Sequence, residues 1–368
     1  MRVFWWWLCF ILETQAFHMI HPRLLPFWYP LMRTQDAYTR QIHKIDIMDE
    51  PLVCYNNRNQ SFVMHTDICP HQGASLSKGW INSFGHIQCP YHGFEFCQGM
   101  FCNIPNPSIS PPKFRSKTQL PIFPIRQYNG MLFVLPVSSR HLSLQSDPYF
   151  PPEEKDTDGF RSISGHRIIE RDYMSVCENL LDMLHISYVH SFGSTFTPLP
   201  FMIRTVYKNE SSGMTEFHYQ PRMFTISRQV GKVPVVIVQN EYHLPTTTIT
   251  RVFAGSTIKT VFTQSLPISK DRTLLFWKVY RNFWMDPYFR VFSIIGDWLL
   301  KFLMDRTIDE DVGMLKNVYS EHREGRLKTK YDVTIRNFRE CVEINHLSSN
   351  DSMDMLPTEV FHRFDDEY

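Results

Sequence analysis

Two short segments, each with one cysteine and one histidine, constrain this chain more than any other feature. Cys69 and His71 lie in the first segment, and Cys89 and His92 lie in the second. A proline follows each cysteine and stiffens its loop by fixing φ, and a glycine after each histidine lets the backbone approach a bound group closely. Four thiolate and imidazole ligands on two loops predict a metal centre.

The distribution of the ligands between the loops bears on which metal is bound. Zinc modules usually take a pair of cysteines from one loop and a pair of histidines from another, whereas each loop here supplies one of each. This arrangement suits a [2Fe–2S] cluster in which two thiolates bind one iron and two imidazoles bind the other. A zinc-stabilised binding module is the competing interpretation. Cys97 and Cys102, just downstream, are open to three interpretations: a disulfide, metal ligands or ordinary cysteines of a β loop.

A second group of candidate ligands lies in an apolar helical stretch near residues 173–190. Asp182 and His185 are three residues apart and therefore share a helical face. His185 and His190 are five residues apart and do not share a face of a regular helix. These two histidines can meet on one metal only if the helix tightens, bulges or ends between them.

Both groups of residues resemble motifs of one enzyme family, the Rieske non-haem iron oxygenases. Residues 69–74 and 88–93 are similar to its two cluster loops, and residues 182–190 are similar to its D-x₂-H-x₄-H iron motif. Residues 27–30 and 104–107 fit the same family. Within it, the chain most resembles terminal oxygenases of the vanillate demethylase and pheophorbide a oxygenase group.

The resemblance implies roles for individual residues. His185 and His190 would bind a mononuclear Fe(II), and Asp311 on a late helix would complete the ligand set, with Asp309 as the alternative. Asp182 would be the carboxylate that links a cluster histidine of a neighbouring subunit to this iron. Cys69, His71, Cys89 and His92 would bind the [2Fe–2S] cluster.

The resemblance also implies an activity. The chain would use O₂, and electrons from a ferredoxin or ferredoxin reductase, to hydroxylate or demethylate a small hydrophobic, ring-containing substrate, and it would act as a homotrimer. A Rieske electron-transfer protein without oxygenase activity is the alternative. Respiratory-chain Rieske proteins carry an extra cysteine in each cluster loop and join the two by a disulfide, whereas this chain has Ala74 and Tyr91 there.

The implied fold is α+β, with a Rieske β domain followed by a helix-grip (START-like) catalytic domain whose antiparallel sheet is curved. Polar and proline-rich stretches mark the expected boundaries. We predict a targeting segment, a Rieske domain, a linker, a catalytic domain and an acidic tail, at residues 1–16, 27–137, 138–159, 160–345 and 346–368.

Charge and the N-terminal residues bear on partners and location. Because 38 basic and 37 acidic residues give a net charge of +1, nothing favours nucleic-acid binding. Residues 1–16 combine a positive charge, a short apolar run and a small residue at a plausible cleavage site, as a signal peptide does. The junction of Ala16 and Phe17 resembles presequences of algae with secondary plastids. This resemblance predicts a plastid location, with the secretory pathway or cytoplasm as alternatives.

Overall fold

The computed structural model describes most of the predicted Rieske and catalytic domains. The described residues are 24–57, 61–104, 119–137, 147–157, 159–192, 199–220, 235–285, 290–319, 322–323 and 325–354. The predicted targeting segment, 1–16, lies outside them, as do residues 105–107 of the downstream motif.

Short antiparallel strands build the N-terminal domain, as the alternating apolar pattern predicts. The strands are β1 (Tyr29–Arg33), β2 (Ile42–Ile47), β3 (Glu50–Asn56), β4 (Phe62–Thr66), β5 (Trp80–Ile81), β6 (Ile87–Gln88), β7 (Glu95–Cys97), β8 (Met100–Asn103), β9 (Ile125–Tyr128) and β10 (Met131–Val134). They form three sheets with the orders β1-β10-β9, β2-β3-β4 and β5-β6-β7-β8. A short helix, α1 (Thr34–Ala37), and a 3₁₀ turn at Leu76–Lys78 join them.

A seven-stranded antiparallel sheet forms the second domain, in the order β11-β17-β16-β15-β14-β13-β12. Its strands are β11 (Arg161–Ile169), β12 (Phe201–Lys208), β13 (Ser212–Tyr219), β14 (Val236–His243), β15 (Thr247–Ala254), β16 (Thr257–Ser269) and β17 (Arg272–Arg281). The helices are α2 (Tyr173–Leu181), α3 (His185–Tyr188), α4 (Arg290–Leu315) and α5 (Val333–Asp354). The predicted α+β class, with helices against an antiparallel sheet, is confirmed.

Alternation along β17 shows what covers each face of this sheet. Leu275 and Trp277 pack against the helices, in clusters shared with α2 and α4. Leu274 and Phe276 point the other way, as strand geometry requires, and pack with Leu266 of β16 against the core of the Rieske domain. The sheet therefore lies between the Rieske domain of its own chain and the helices of the catalytic domain.

The two domains share a buried core as well as backbone hydrogen bonds. Leu266 is buried among residues of the Rieske sheets, including Tyr29 and Leu132. At the same edge, Met48 donates its backbone N–H to the carbonyl of Pro267 at 3.0 Å. Because apolar burial and main-chain pairing act together here, the two domains are fixed relative to each other.

The described part of the predicted linker, 138–159, is packed against the catalytic domain. A 3₁₀ turn at Pro152–Glu154 lies against the catalytic sheet. The Glu153 carboxylate is buried and accepts hydrogen bonds from Arg251 Nε at 2.9 Å and Thr260 Oγ1 at 2.7 Å. Composition marks an acidic stretch as solvated, but it does not reveal a buried arginine on a distant strand that pairs with it.

The predicted acidic tail, 346–368, overlaps the last described helix. Helix α5 continues through residue 346 and ends at Asp354. The first proline in this region is Pro357, and acidic and polar residues alone do not end a helix. Residues 355–368 lie outside the described part of the chain. Among the described helices, none combines the length and the apolar character needed to cross a membrane.

Candidate iron sites

The two predicted cluster loops have the same backbone conformation. In the first, the Cys69 N–H donates to Ala74 O at 2.9 Å, and the Cys69 carbonyl accepts from Gly73 N–H at 2.8 Å. The loop around Cys89 repeats both hydrogen bonds, at 2.8 and 3.1 Å. The glycine after each histidine has a φ of +74°, a left-handed conformation that glycine adopts without steric cost. The repeated turns place the ligands of the two loops opposite each other.

The four candidate cluster ligands lie as two pairs, one of adjoining thiols and one of facing imidazoles. Cys69 and Cys89 are buried, whereas His71 and His92 are exposed and bring their Nδ1 atoms to 3.1 Å from each other. Burial, together with the adjoining Cys89 thiol, raises the pKa of Cys69 to about 11. The two thiols stabilise each other poorly, and so do the two facing ring nitrogens, whereas all four atoms can bind metal cations. The set fits a cluster bound by two thiolates and two imidazoles.

The second candidate centre forms where the helical stretch is interrupted. Helix α2 ends at Leu181 and α3 runs only from His185 to Tyr188, so the predicted break is present. His185 Nε2 and His190 Nε2 lie 3.1 Å apart, and Asp311 Oδ1 lies 3.5 Å from each of them. These three side chains could hold a metal ion. Asp309 is elsewhere, because it forms a surface ion pair with Arg167.

Asp311 carries the clearest sign that a cation belongs between these side chains. Its Oδ1 is buried and has no hydrogen-bond partner among the described residues. Burial raises the pKa of Asp311, although His190 and His185 act in the opposite direction. A buried carboxylate oxygen without a partner costs free energy, and a metal ion bound also by the two imidazoles would remove that cost. The donor set fits non-haem Fe(II).

In both histidines, Nδ1 is the outer nitrogen, which points away from the other ligands, and it lies within hydrogen-bonding distance of a protein oxygen. His185 Nδ1 lies 2.8 Å from the backbone carbonyl of Asp182, and His190 Nδ1 lies 3.2 Å from Glu310 Oε2. Glu310 also accepts a hydrogen bond from Ser191 N–H at 3.3 Å. Burial raises the pKa of Glu310, but these hydrogen bonds outweigh burial and hold the pKa below its ordinary value. Nδ1–H donation to an oxygen leaves each Nε2 free to bind a metal.

The role of Glu310 was not predicted from the sequence. Glu310 precedes Asp311 in an acidic run. Because side chains at neighbouring helical positions point in directions that differ by roughly 100°, the two carboxylates have different roles. Asp311 points at both Nε2 atoms, whereas Glu310 holds the far side of His190. The acidic run itself was the signal, but it did not show which carboxylate takes which position.

Asp182 lies at the turn between α2 and α3. Its Oδ1 accepts from the backbone N–H groups of Leu184 at 2.7 Å and His185 at 3.4 Å, which shapes the break before the histidines. The residue also lines an open depression of about 270 Å³ together with Arg323 and Arg339. Asp182 thus positions His185 through its backbone and presents its carboxylate at the edge of a surface recess.

A buried ion pair fixes the helix that precedes the iron motif. Glu178 on α2 is buried, and Arg339 on α5 donates from Nε and Nη2 to its two carboxylate oxygens, both at 2.7 Å. Two parallel charge-assisted hydrogen bonds define the orientation of both partners. The register of α2, and with it the position of the following turn, is tied to α5.

Comparisons with known proteins agree with this geometry. The family model described as "Rieske [2Fe-2S] domain" matches residues 27–124, and the one described as "Vanillate O-demethylase oxygenase C-terminal domain" matches residues 169–343. Together they span about three quarters of the chain. The first contains all four candidate cluster ligands, and the second contains the two histidines and Asp311.

Individual relatives give the same result. The chloroplastic pheophorbide a oxygenase of Arabidopsis thaliana is 30% identical over 198 residues, and the oxygenase component of dicamba O-demethylase from Stenotrophomonas maltophilia is 28% identical over 165. The alignments span 50% and 44% of this chain but only 36% and 46% of those relatives. Pseudomonas putida CBB5 NdmA, solved with caffeine, matches with a TM-score of 0.70 at 19% identity, over 88% of this chain and 92% of that one.

The matches confirm the predicted domain order and the predicted [2Fe–2S] and mononuclear iron cofactors. They also argue against a zinc-stabilised binding module, because a Rieske domain and an oxygenase domain occur in sequence. The chain therefore belongs to the Rieske non-haem iron oxygenase family.

Proposed function

We propose that this protein is an oxygenase that hydroxylates or demethylates a small hydrophobic, ring-containing substrate. The observation that carries the proposal is the buried meeting of His185, His190 and Asp311 in a chain that also has a complete set of cluster ligands. A protein that only transferred electrons would need the first set alone. The name of the relative dicamba O-demethylase supports a demethylation reaction.

The chain's own residues divide the work between the two centres. Cys69, His71, Cys89 and His92 would hold the [2Fe–2S] cluster, and the three ligands of the second centre would hold Fe(II). When bound, the cluster supplies single electrons, and the iron supplies a reducible Lewis-acid centre with positions left for O₂. The Asp182 carbonyl and Glu310 keep both outer nitrogens occupied, so that each Nε2 faces the metal.

The placement of the sheet supports electron transfer between subunits. The helices that carry the iron ligands pack on the face of the catalytic sheet opposite to the face that packs on the Rieske domain of the same chain. His71 and His92 are exposed, and no described residue hydrogen-bonds their Nε2 atoms. We therefore place a cluster histidine of a neighbouring subunit in the recess beside Asp182, in a homotrimer, with that carboxylate as the acceptor.

The Asp182→Asn variant tests this arrangement. Asparagine keeps the turn, because its side-chain oxygen can also accept from Leu184 N–H, but it removes the charge that faces the incoming imidazole. We expect both metals to remain bound and turnover to fall by roughly 10–100-fold. Asp309→Asn, which removes an exposed charge from α4, is the matched control. Full activity of the Asp182 variant would contradict the bridging role.

The activity itself is tested by anaerobic reconstitution with ferredoxin and ferredoxin reductase, which we propose as the physiological type of donor. Aromatic, sterol, carotenoid and chlorophyll-derived compounds are then screened for product formation and O₂ uptake. We expect substrate-dependent O₂ consumption that the Asp311→Ala variant lacks. Reversible reduction of the cluster without O₂ uptake on any compound would favour the electron-carrier alternative.

We also propose a plastid location. The N-terminal residues 1–16 and the chloroplastic pheophorbide a oxygenase relative support it. Fluorescence of a full-length fusion in an algal cell with a secondary plastid tests it. A purely cytosolic signal would contradict the proposal.

A further inference from the structure

The sheet that supports the second cluster loop has one apolar face and one face rich in metal ligands. Ile87 pairs with Phe96, and Phe96 with Phe101, across β6, β7 and β8, and all three are buried in one core cluster. Because side chains alternate along a strand, the adjacent positions point to the opposite face. That face carries an imidazole, a carboxylate and two thiols, from His86, Glu95, Cys97 and Cys102.

These side chains converge at one point. The candidate ligand atoms of His86, Cys97 and Cys102 all lie within 4.8 Å of one another. His86 Nδ1 is buried and has no hydrogen-bond partner among the described residues, since Glu95 Oε2, the nearest carboxylate oxygen, is 3.6 Å away. A buried ring nitrogen beside two sulfurs and a carboxylate is stabilised by a cation rather than by its neighbours.

Both cysteines are free thiols in this structure. Cys102 Sγ makes a weak hydrogen bond to Met100 O at 3.4 Å. Burial, and then the neighbouring Cys97, raises the pKa of Cys102 to about 11. A bound metal ion would stabilise the thiolate form of both cysteines.

We propose that His86, Cys97 and Cys102 bind a structural Zn²⁺ ion, with Glu95 as the fourth ligand. Two thiolates and an imidazole select zinc over magnesium or calcium. Bond lengths near 2.0–2.3 Å give a tetrahedral site with edges of roughly 3.3–3.8 Å, so the side chains need to close in by only about an ångström. This site shares no ligand with either iron centre and does not depend on the proposed oxygenase activity.

The position of the zinc site indicates its role. Strands β6 and β7 lead directly into and out of the loop that carries Cys89 and His92. The two cluster loops are not joined by a disulfide, because Ala74 and Tyr91 occupy the places where respiratory-chain relatives have cysteines. A bound zinc ion would link β6, β7 and β8 next to the second loop and so restrict the movement of the cluster ligands on that loop.

Metal analysis of the full-length protein, purified without oxygen and with its iron sites filled, tests the proposal. We expect about one zinc per chain in addition to iron. The double variant Cys97→Ser, Cys102→Ser should contain less than about a tenth of that zinc but keep the Rieske electron paramagnetic resonance signal on isolation. Its cluster should then be lost to a chelator several-fold faster than in the unaltered protein. His166→Gln, which changes an exposed histidine on β11, should keep the zinc.

X-ray absorption at the zinc edge on the unaltered protein gives an independent test if the double variant fails to fold. We expect two sulfur neighbours at about 2.3 Å and two nitrogen or oxygen neighbours at about 2.0–2.2 Å. Three results would overturn the proposal: no zinc after incubation with Zn²⁺, retention of the zinc by a folded double variant, or a Cys97–Cys102 disulfide found by mass spectrometry in the iron-loaded protein.

Discussion

The two candidate iron centres differ in which ligand atoms reach the surface. In the Rieske domain the thiols of Cys69 and Cys89 are buried, but the imidazoles of His71 and His92 are exposed. In the catalytic domain His190 and Asp311 are buried, and the outer nitrogens of both histidines are already bound by oxygens of the protein. One centre exposes its imidazoles at the surface, while the ligands of the other are largely enclosed by the protein.

This difference shows how each centre is held. The cluster loops depend on local backbone turns that repeat each other, and their histidine N–H groups remain available. The second centre depends on long-range contacts, because Asp311 and Glu310 come from α4, far along the chain from His185 and His190. Substitutions in the catalytic domain should therefore act through distant partners, which gives three ways to test the comparison.

The largest effect is expected from Asp311→Ala. Among the described residues, Asp311 is the only carboxylate that forms a contact with both Nε2 atoms. Its removal should reduce the iron content from about three to about two atoms per chain and abolish product formation. Metal analysis and electron paramagnetic resonance of the reduced cluster measure the two centres separately. Asp309→Ala, two residues away, should retain all the iron. Loss of the cluster signal in the Asp311 variant would show that the centres are not independently held.

A smaller effect is expected from Glu310→Gln. The amide still accepts from Ser191 N–H, but it removes the negative charge that supports His190 Nδ1. Iron affinity or turnover should fall by roughly 10–100-fold, with the cluster unaffected. Competition with an iron chelator measures the affinity. Unchanged affinity would mean that the Glu310 contact does not tune the metal ligand.

The smallest effect concerns stability in acid. Burial raises the pKa of Glu241 on β14. The hydrogen bond with His243 and the adjacent Arg251 guanidinium outweigh burial and lower this pKa from 4.5 to about 2. Because the pKa is depressed in the folded state, this stabilisation is complete above pH 4.5 and is lost as the pH falls from 4.5 toward 2.

The Glu241→Gln variant should accordingly be about 3 kcal/mol less stable than the unaltered protein at pH 7, and the difference should shrink below about pH 4.5. Urea unfolding followed by circular dichroism over this pH range measures it. A difference that does not change with pH would show that Glu241 stabilises the sheet through packing and not through its charge.

Local features of the sequence predicted the parts of the molecule that depend on local chemistry. Ligand spacing in the two loops predicted the meeting of His71 and His92, and the five-residue step from His185 to His190 predicted a break in the helix. Alternating apolar residues predicted the strands. In each case, the required geometry is set by residues close together in the chain.

What the sequence did not reveal depends on contacts between distant segments. The pairing of Glu153 with Arg251 shows only when β15 lies beside the 3₁₀ turn, so an acidic stretch looked like a linker. The convergence of His86 with Cys97 depends on the register between β6 and β7. Motif spacing carries no information about such register, and neither side chain has an unusual neighbour in the sequence.

The burial of Leu266 within the Rieske core has a practical consequence for dividing this protein. If the chain were cut between the two domains, the Rieske fragment would expose the apolar surface that β16 covers. The catalytic fragment would expose Leu274 and Phe276 to solvent. Because the described parts of the two domains share one buried core, we expect them to unfold together.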